Sequence, residues 1–111
     1  VIELDARQPQ RPIECPVENW LGFLGLRWNA LVPWHLKDSA KRHGELAALL
    51  PGVAPKFLAE RLLGLESRGL VVRSPILTLP RGVLYDLSSA GVALVHILDQ
   101  LEMWSHKFQD A

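Results

Sequence analysis

The sequence is most informative first in what it lacks. It holds one cysteine, Cys15, so no disulfide can form within the chain, and a reducing, cytoplasmic setting is expected. No apolar run approaches the roughly 18–20 residues needed to cross a bilayer, and no signal-peptide pattern opens the sequence. No glycine-rich phosphate loop, paired catalytic carboxylates or nucleophile elbow is present, which argues against an enzyme. The four histidines, His35, His43, His96 and His106, show no i,i+4 pairing with one another or with Cys15. Neither a metal site nor any other cofactor is therefore expected. Net charge is also missing, with twelve cations against twelve anions. A generally basic surface is thereby excluded.

What is present is unevenly placed. Between Lys37 and Tyr85 eight cations face four anions, so the middle of the chain carries +4 and the ends carry the balancing −4. A polyanion would be drawn to the middle alone. Apolar residues make up 49% of 111 residues, enough for one modest core.

Residues 1–14, with RQPQRP among them, read as a flexible arm, and 15–111 as a single domain. Pro16 suits a first helical position. The stretch PVENWLGFLG then places Val17, Trp20, Leu21 and Leu24 on one side before Gly25 ends it. In RWNALVPWHLK, Trp28, Leu31, Val32 and Leu36 recur at helical spacing, and Pro33 inside that pattern predicts a kink. Gly44–Leu50 predicts a short helix, stopped by Pro51-Gly52. A second helix follows, with Ala54 at its cap, Pro55 in its first turn and Gly69 at its end. Leu58, Leu62 and Leu65 form its core stripe. Lys56, Phe57, Glu60, Arg61, Gly64 and Arg68 fall on the other side. LVVRSPILTLPRGVLYDL predicts two strands around a turn at Pro80-Arg81-Gly82.

Helix, tight turn, helix and hairpin make the order of a winged helix-turn-helix: a mainly α fold with a small β-hairpin wing. The second helix has an apolar side to anchor it and a polar side to present to DNA. Its N-terminus carries free donors and partial positive charge, which favour phosphate. Lys56, Phe57, Glu60 and Arg61 are expected to face the major groove. Lys41, Arg42 and the backbone near Pro55 are expected to hold phosphates, and Arg81 to reach DNA from the wing. The last segment, 88–108, starts at the cap candidate Ser88. Its Leu94, Ile97, Leu101, Trp104 and Phe108 repeat at spacings of 3 and 4, a heptad seam that predicts dimerisation. Val95 and Leu98 form a neighbouring stripe that can pack on the domain. The tryptophans 20, 28, 34 and 104 are expected in the core or lining a cavity between the terminal helices.

From Cys15 to Trp104 the chain resembles HxlR-type winged-helix transcriptional regulators, a MarR-like group. The resemblance rests on an ordered set: Cys15-Pro16, Gly25-x-Arg27-Trp28, Glu45-Leu46, Leu50-Pro51-Gly52, the run from Pro55-Lys56 to Gly69-Leu70-Val71, Tyr85-x-Leu87 and Gly91. It implies homodimers on roughly palindromic double-stranded operators. In some members it also implies sensing of oxidants or electrophiles through the cysteine at the position of Cys15, and a small-molecule or oxidant effector is therefore a candidate partner. The chain departs from the pattern at Ala54, where a hydroxyl usually caps the recognition helix, and at Glu60, whose carboxylate either accepts from a cytosine amino group or weakens backbone binding. These departures keep open an alternative, a winged-helix dimer that contacts protein instead of DNA.

Overall fold

The computed structural model describes residues 16–108, with Cys15 and the expected arm outside that range. Eight elements follow in order: α1 (Pro16–Leu24), α2 (Leu31–His35), β1 (Lys41–Arg42), α3 (His43–Leu49), α4 (Pro55–Ser67), β2 (Val71–Ile76), β3 (Gly82–Leu87) and α5 (Ser89–Phe108). The three strands form one antiparallel sheet in the order β1-β3-β2. The hairpin register pairs Val71 with Leu87 and Ile76 with Gly82.

Two expectations need correction here. Residues 28–36 do not form one kinked helix. Trp28 has a φ of 79°, a left-handed conformation in which a bulky side chain is strained. The helix starts only at Leu31 and runs for five residues. Pro33 is its third residue, where a backbone N–H would lack an intrahelical acceptor anyway, so the ring disturbs nothing. The second correction concerns the sheet. The sequence predicts two strands, whereas Lys41 and Arg42 pair with Tyr85 and Leu84 and add a third to the wing.

Local chemistry explains the ends of α4. Ala54 has the extended backbone of a cap residue but makes no side-chain cap bond. Pro55 occupies the first turn, where its missing N–H is harmless. At the other end Gly69 takes a φ of +77°. Its N–H donates to the Glu66 carbonyl at 2.9 Å, and the Leu70 N–H donates to the Leu65 carbonyl at 3.0 Å. This Schellman closure aims the chain straight into β2.

The core is one cluster built from α2, α3, α4 and the start of β2. Val32, Leu36, Leu46, Leu58, Leu62 and Leu65 are its centre, with Leu50, Leu70 and Val71 buried around them. Trp20, Phe23, Trp28, Tyr85, Leu87 and Leu94 pack against its edge. The stripe of α4 is therefore the anchor that its periodicity predicted. By contrast, α1 has no buried residue, and α5 buries only Gly91 and Val95. Trp104 is 60% exposed, not core.

The root of α5 is tightly built. Ser88 Oγ accepts from the Gly91 N–H at 3.0 Å and donates to the Gly69 carbonyl at 2.6 Å. The Ser88 N–H donates to the Leu70 carbonyl at 3.0 Å. A Cβ on Gly91 would run into the Leu70 carbonyl oxygen and stand 3.0 Å from Leu87 Cδ2. One serine thus caps α5 while tying it to the end of α4.

Candidate nucleic-acid interface

α3 and α4 meet across the turn Leu50–Ala54, which is closed by the Val53 N–H on the Leu50 carbonyl at 3.1 Å and by Gly52 at a φ of +91°. With Leu58, Leu62 and Leu65 turned inward, the opposite line of α4 is Lys56, Glu60, Leu63 and Ser67, all exposed. Phe57, 53% exposed, and half-buried Arg61 stand on one flank of that line. A cation, an aromatic and a carboxylate therefore share the first two turns beside the free donors of the helix start. That set suits hydrogen bonding to base edges and to phosphate.

Leu63 was not singled out in the sequence because a leucine reads as core. It is 61% exposed on the same line as Lys56 and Glu60. Its offset from the three buried leucines was the available signal, since a helical wheel puts it opposite them. An apolar side chain there matches the methyl of thymine.

The flank expected to face outward splits in two. Phe57 and Arg61 remain at the open, N-terminal half. Gly64 and Arg68 instead meet side chains of α1, although Arg68 stays exposed to solvent. A Cβ on Gly64 would lie 3.8 Å from the Phe23 ring, and the Arg68 guanidinium sits over the Phe23 and Trp20 rings at 4.1 and 4.7 Å.

Two further cations are also held by the protein. Arg42 precedes α3, where its N–H donates to Glu45 Oε1 at 2.7 Å, and its guanidinium reaches across to the wing, donating to the Pro80 carbonyl at 2.8 Å. Lys41 Nζ donates to the Ser39 hydroxyl at 3.0 Å and to the Ser39 carbonyl at 3.3 Å. Arg81 stands exposed on the wing between Pro80 and the start of β3, and no ion pair is found for it among the described residues. The wing tip also presents Leu77 and Leu79 to solvent.

Away from α4, the seam of α5 is also open to solvent. Ile97, Leu101 and Trp104 are each more than half exposed, Phe108 is 47% exposed, and Leu94 is half-buried. Trp104 and Phe108 meet at a tilt of 38°, with ring centroids 5.5 Å apart. Alongside runs an apolar groove of ≈ 540 Å³ between α1 and α5, bordered by Val17, Trp20, Leu21, Ala93, Leu94 and Ile97. A second groove, ≈ 560 Å³, lies between α2 and the far half of α5 and includes Trp34 and Leu101. No metal-binding cluster of histidine, cysteine or carboxylate side chains forms among the described residues.

The family model described as HxlR-like helix-turn-helix matches residues 23–111. The chain belongs to the HxlR-like helix-turn-helix family. It is 36% identical to the HTH-type transcriptional regulator YodB of Bacillus subtilis (strain 168) over 95 residues, covering 85% of each chain. The reduced form of YodB superposes with a TM-score of 0.76 over 85% of this chain and 93% of that one. Reduced HypR, a redox regulator, is 30% identical and superposes with a TM-score of 0.78 over 86% of this chain and 95% of that one. YodB is also known in diamide-treated and quinone-bound forms, with TM-scores of 0.71 and 0.73. This HxlR-like chain is accordingly a DNA-binding transcriptional regulator with a winged-helix fold, and the protein-interaction alternative is not favoured. No helix among its described residues is long and apolar enough to cross a membrane.

Proposed function

We propose that this regulator acts in the cytoplasm as a homodimer, without a catalytic step or cofactor, and reads a pseudo-palindromic operator with two copies of α4. Lys56, Phe57, Glu60, Arg61 and Leu63 enter the major groove. Amides near Pro55, together with Lys41 and Arg42, meet the backbone, and Arg81 reaches it from the wing. The domain is one unit, 15–111, preceded by the arm 1–14, with 88–108 as the dimerisation helix.

The exposed seam on α5 is the observation that carries the homodimer. A 20-residue helix is roughly 30 Å long, yet α5 is rooted by Gly91 and Val95 near its start. Beyond them Ile97, Leu101, Trp104 and Phe108 hold out an apolar row. Such a row beside an apolar groove marks an interface. A second copy supplies both faces at once, since its own row meets this groove and the reverse. Two-fold pairing then sets two α4 helices about one turn of DNA apart, roughly 34 Å.

The test is sedimentation of Trp104→Ala. With 60% of its surface still exposed, the indole has roughly 90–150 Å² left to bury, or about 2–4 kcal/mol per copy. Truncating both copies should weaken dimerisation by at least about 100-fold. An unchanged monomer–dimer equilibrium would refute the seam.

The relatives support an oxidant or quinone as the effector class. YodB is known in diamide-treated and quinone-bound forms, and HypR is a redox regulator with reduced and oxidised forms. In this chain the only thiol, Cys15, directly precedes Pro16 at the start of α1. Amide donors of a first helical turn stabilise a thiolate. Cys15 is thus assigned to oxidant or quinone sensing. Treatment with diamide or benzoquinone should change operator binding of the unaltered protein and leave Cys15→Ser unaffected. Equal responses would assign Cys15 a structural role.

A further inference from the structure

Arg68 was the sixth cation of the basic middle segment, and it lies on the recognition helix, yet its geometry is not that of a DNA contact. It caps the C-terminal end of α4. Twelve residues separate it from Lys56, roughly 18 Å along the axis. Its guanidinium lies over two rings of α1, Phe23 at 4.1 Å and Trp20 at 4.7 Å. Nη1 also donates to Asn19 Oδ1 at 2.9 Å. The two rings themselves meet edge to face at 5.9 Å, so the cation completes a closed set of three. Three residues of α1 therefore converge on one side chain of α4.

This set matters because α1 is otherwise held mainly by the partial packing of Trp20 and Phe23 on the edge of the core. None of its residues is buried. The segment that joins it to α2 includes left-handed Trp28 and the buried Asn29, whose Oδ1 finds no partner among the described residues. The Asn29 amide donates to the Phe23 carbonyl at 2.9 Å, which fixes the C-terminal end of α1 only. Meanwhile α1 supplies Val17, Trp20 and Leu21 to the groove against α5.

We infer that Arg68 is a positioning residue for operator binding: it locks α1 to the far end of the recognition helix and so sets where α4 stands relative to the α1–α5 surface. This rests on the homodimer reading above, because the consequence for DNA is the spacing of two α4 helices across that surface. The guanidinium is suited to the task. It is planar, always charged, and able to stack on a ring while its edge donates a hydrogen bond. A lysine would keep the charge and lose the fork.

The test uses the full chain and a palindromic duplex selected from a random pool by the unaltered protein, together with versions carrying one base pair more or fewer between half-sites. Arg68→Gln should bind the selected duplex roughly tenfold more weakly. It should discriminate less among the three spacings, with the salt dependence on non-specific DNA unchanged. Trp20→Leu should do the same although it removes no charge. Asn19→Ala, a mild change on an exposed helix, should move affinity and spacing preference in the same direction by a smaller factor, and Arg68→Lys should recover part of the loss. If Arg68→Gln instead lowers the salt slope by about 0.9 per protomer and keeps the spacing preference, Arg68 is a phosphate contact and the proposal fails. It also fails if affinity and spacing preference stay within twofold of the unaltered protein in Arg68→Gln and Asn19→Ala. Selected sites without two-fold symmetry would refute the homodimer reading instead. In that case the lock is still tested by the Arg68–Trp20 double-mutant cycle in thermal unfolding, where strict additivity would exclude it.

Discussion

Gly91→Ala is a substitution for which propensity and packing predict opposite signs. In a helix, alanine is favoured over glycine by about 0.8–1.0 kcal/mol, so from the helix alone this change should stabilise α5. The tertiary contact opposes it. The new methyl would meet the Leu70 carbonyl oxygen and come within 3.0 Å of Leu87 Cδ2. Leucine at 87 can rotate, but the carbonyl cannot. Leu70 follows the Gly69 closure, its side chain is buried, and its oxygen accepts from the Ser88 N–H at 3.0 Å. The root of α5 must therefore lift, at about 1–3 kcal/mol for overpacking. Lifting also stretches the Ser88 bonds to Leu70 and Gly69, each contributing about 1 kcal/mol. After subtracting the propensity gain, the net loss is about 2–4 kcal/mol. For a domain of this size each kcal/mol corresponds to about 4–8 °C, so Tm should fall by roughly 10–30 °C. The assay is thermal unfolding by circular dichroism at one fixed protein concentration, because the proposed dimer would couple Tm to concentration. A Tm equal to or above that of the unaltered protein would show that the close approach at Gly91 does not constrain the fold.

Other perturbations follow from the same geometry. Ser88→Ala removes both the α5 cap and the tie to Gly69, and should lower stability by about 1–2 kcal/mol in urea unfolding with an unchanged m-value. Arg81→Ala should reduce the slope of log affinity against log salt by about 0.9 per lost contact, hence about 1.8 for the proposed dimer, in a fluorescence anisotropy titration. Arg42→Met should change that slope less, because its guanidinium is already engaged by the Pro80 carbonyl; its effect should show as faster hydrogen exchange in the β1–β3 ladder. Leu63→Ser should weaken binding to duplexes with thymine at the contacted position by about 1–3 kcal/mol and leave the salt slope unchanged.

Family, fold class and the position of the recognition helix were legible in the sequence because they depend on forces acting within a few residues. Pro55 starts α4 and Gly69 ends it through their own backbone preferences. Leu58, Leu62 and Leu65 face inward because 3.6 residues make a turn. Ser88 caps α5 through an N–H three residues on. The hairpin turn lies where proline and glycine interrupt two strand-like runs. The exposed seam on α5 follows equally from spacing, since one stripe packs on the domain and the other has nothing left to cover it.

Only the tertiary structure decided the direction of individual cations and the limits of α2. Arg68 and Arg42 look like solvent-facing charges in sequence. One is taken up by Asn19, 49 residues away, and the other by Pro80, 38 residues away. The helical wheel reports which side of a helix lies opposite the core, but not whether another helix crosses that side, and α1 crosses it at Gly64 and Arg68. The same limit applies to Lys41 and Arg42. A two-residue strand has no periodicity to read, and it exists only because β3 offers an edge at Leu84 and Tyr85. Trp28 follows this pattern too. Its spacing suits a helix, but its left-handed backbone breaks the chain between α1 and α2. Local preference is set by near neighbours in the chain, whereas the final direction of a side chain is set by whichever distant group reaches it first with a better contact than water.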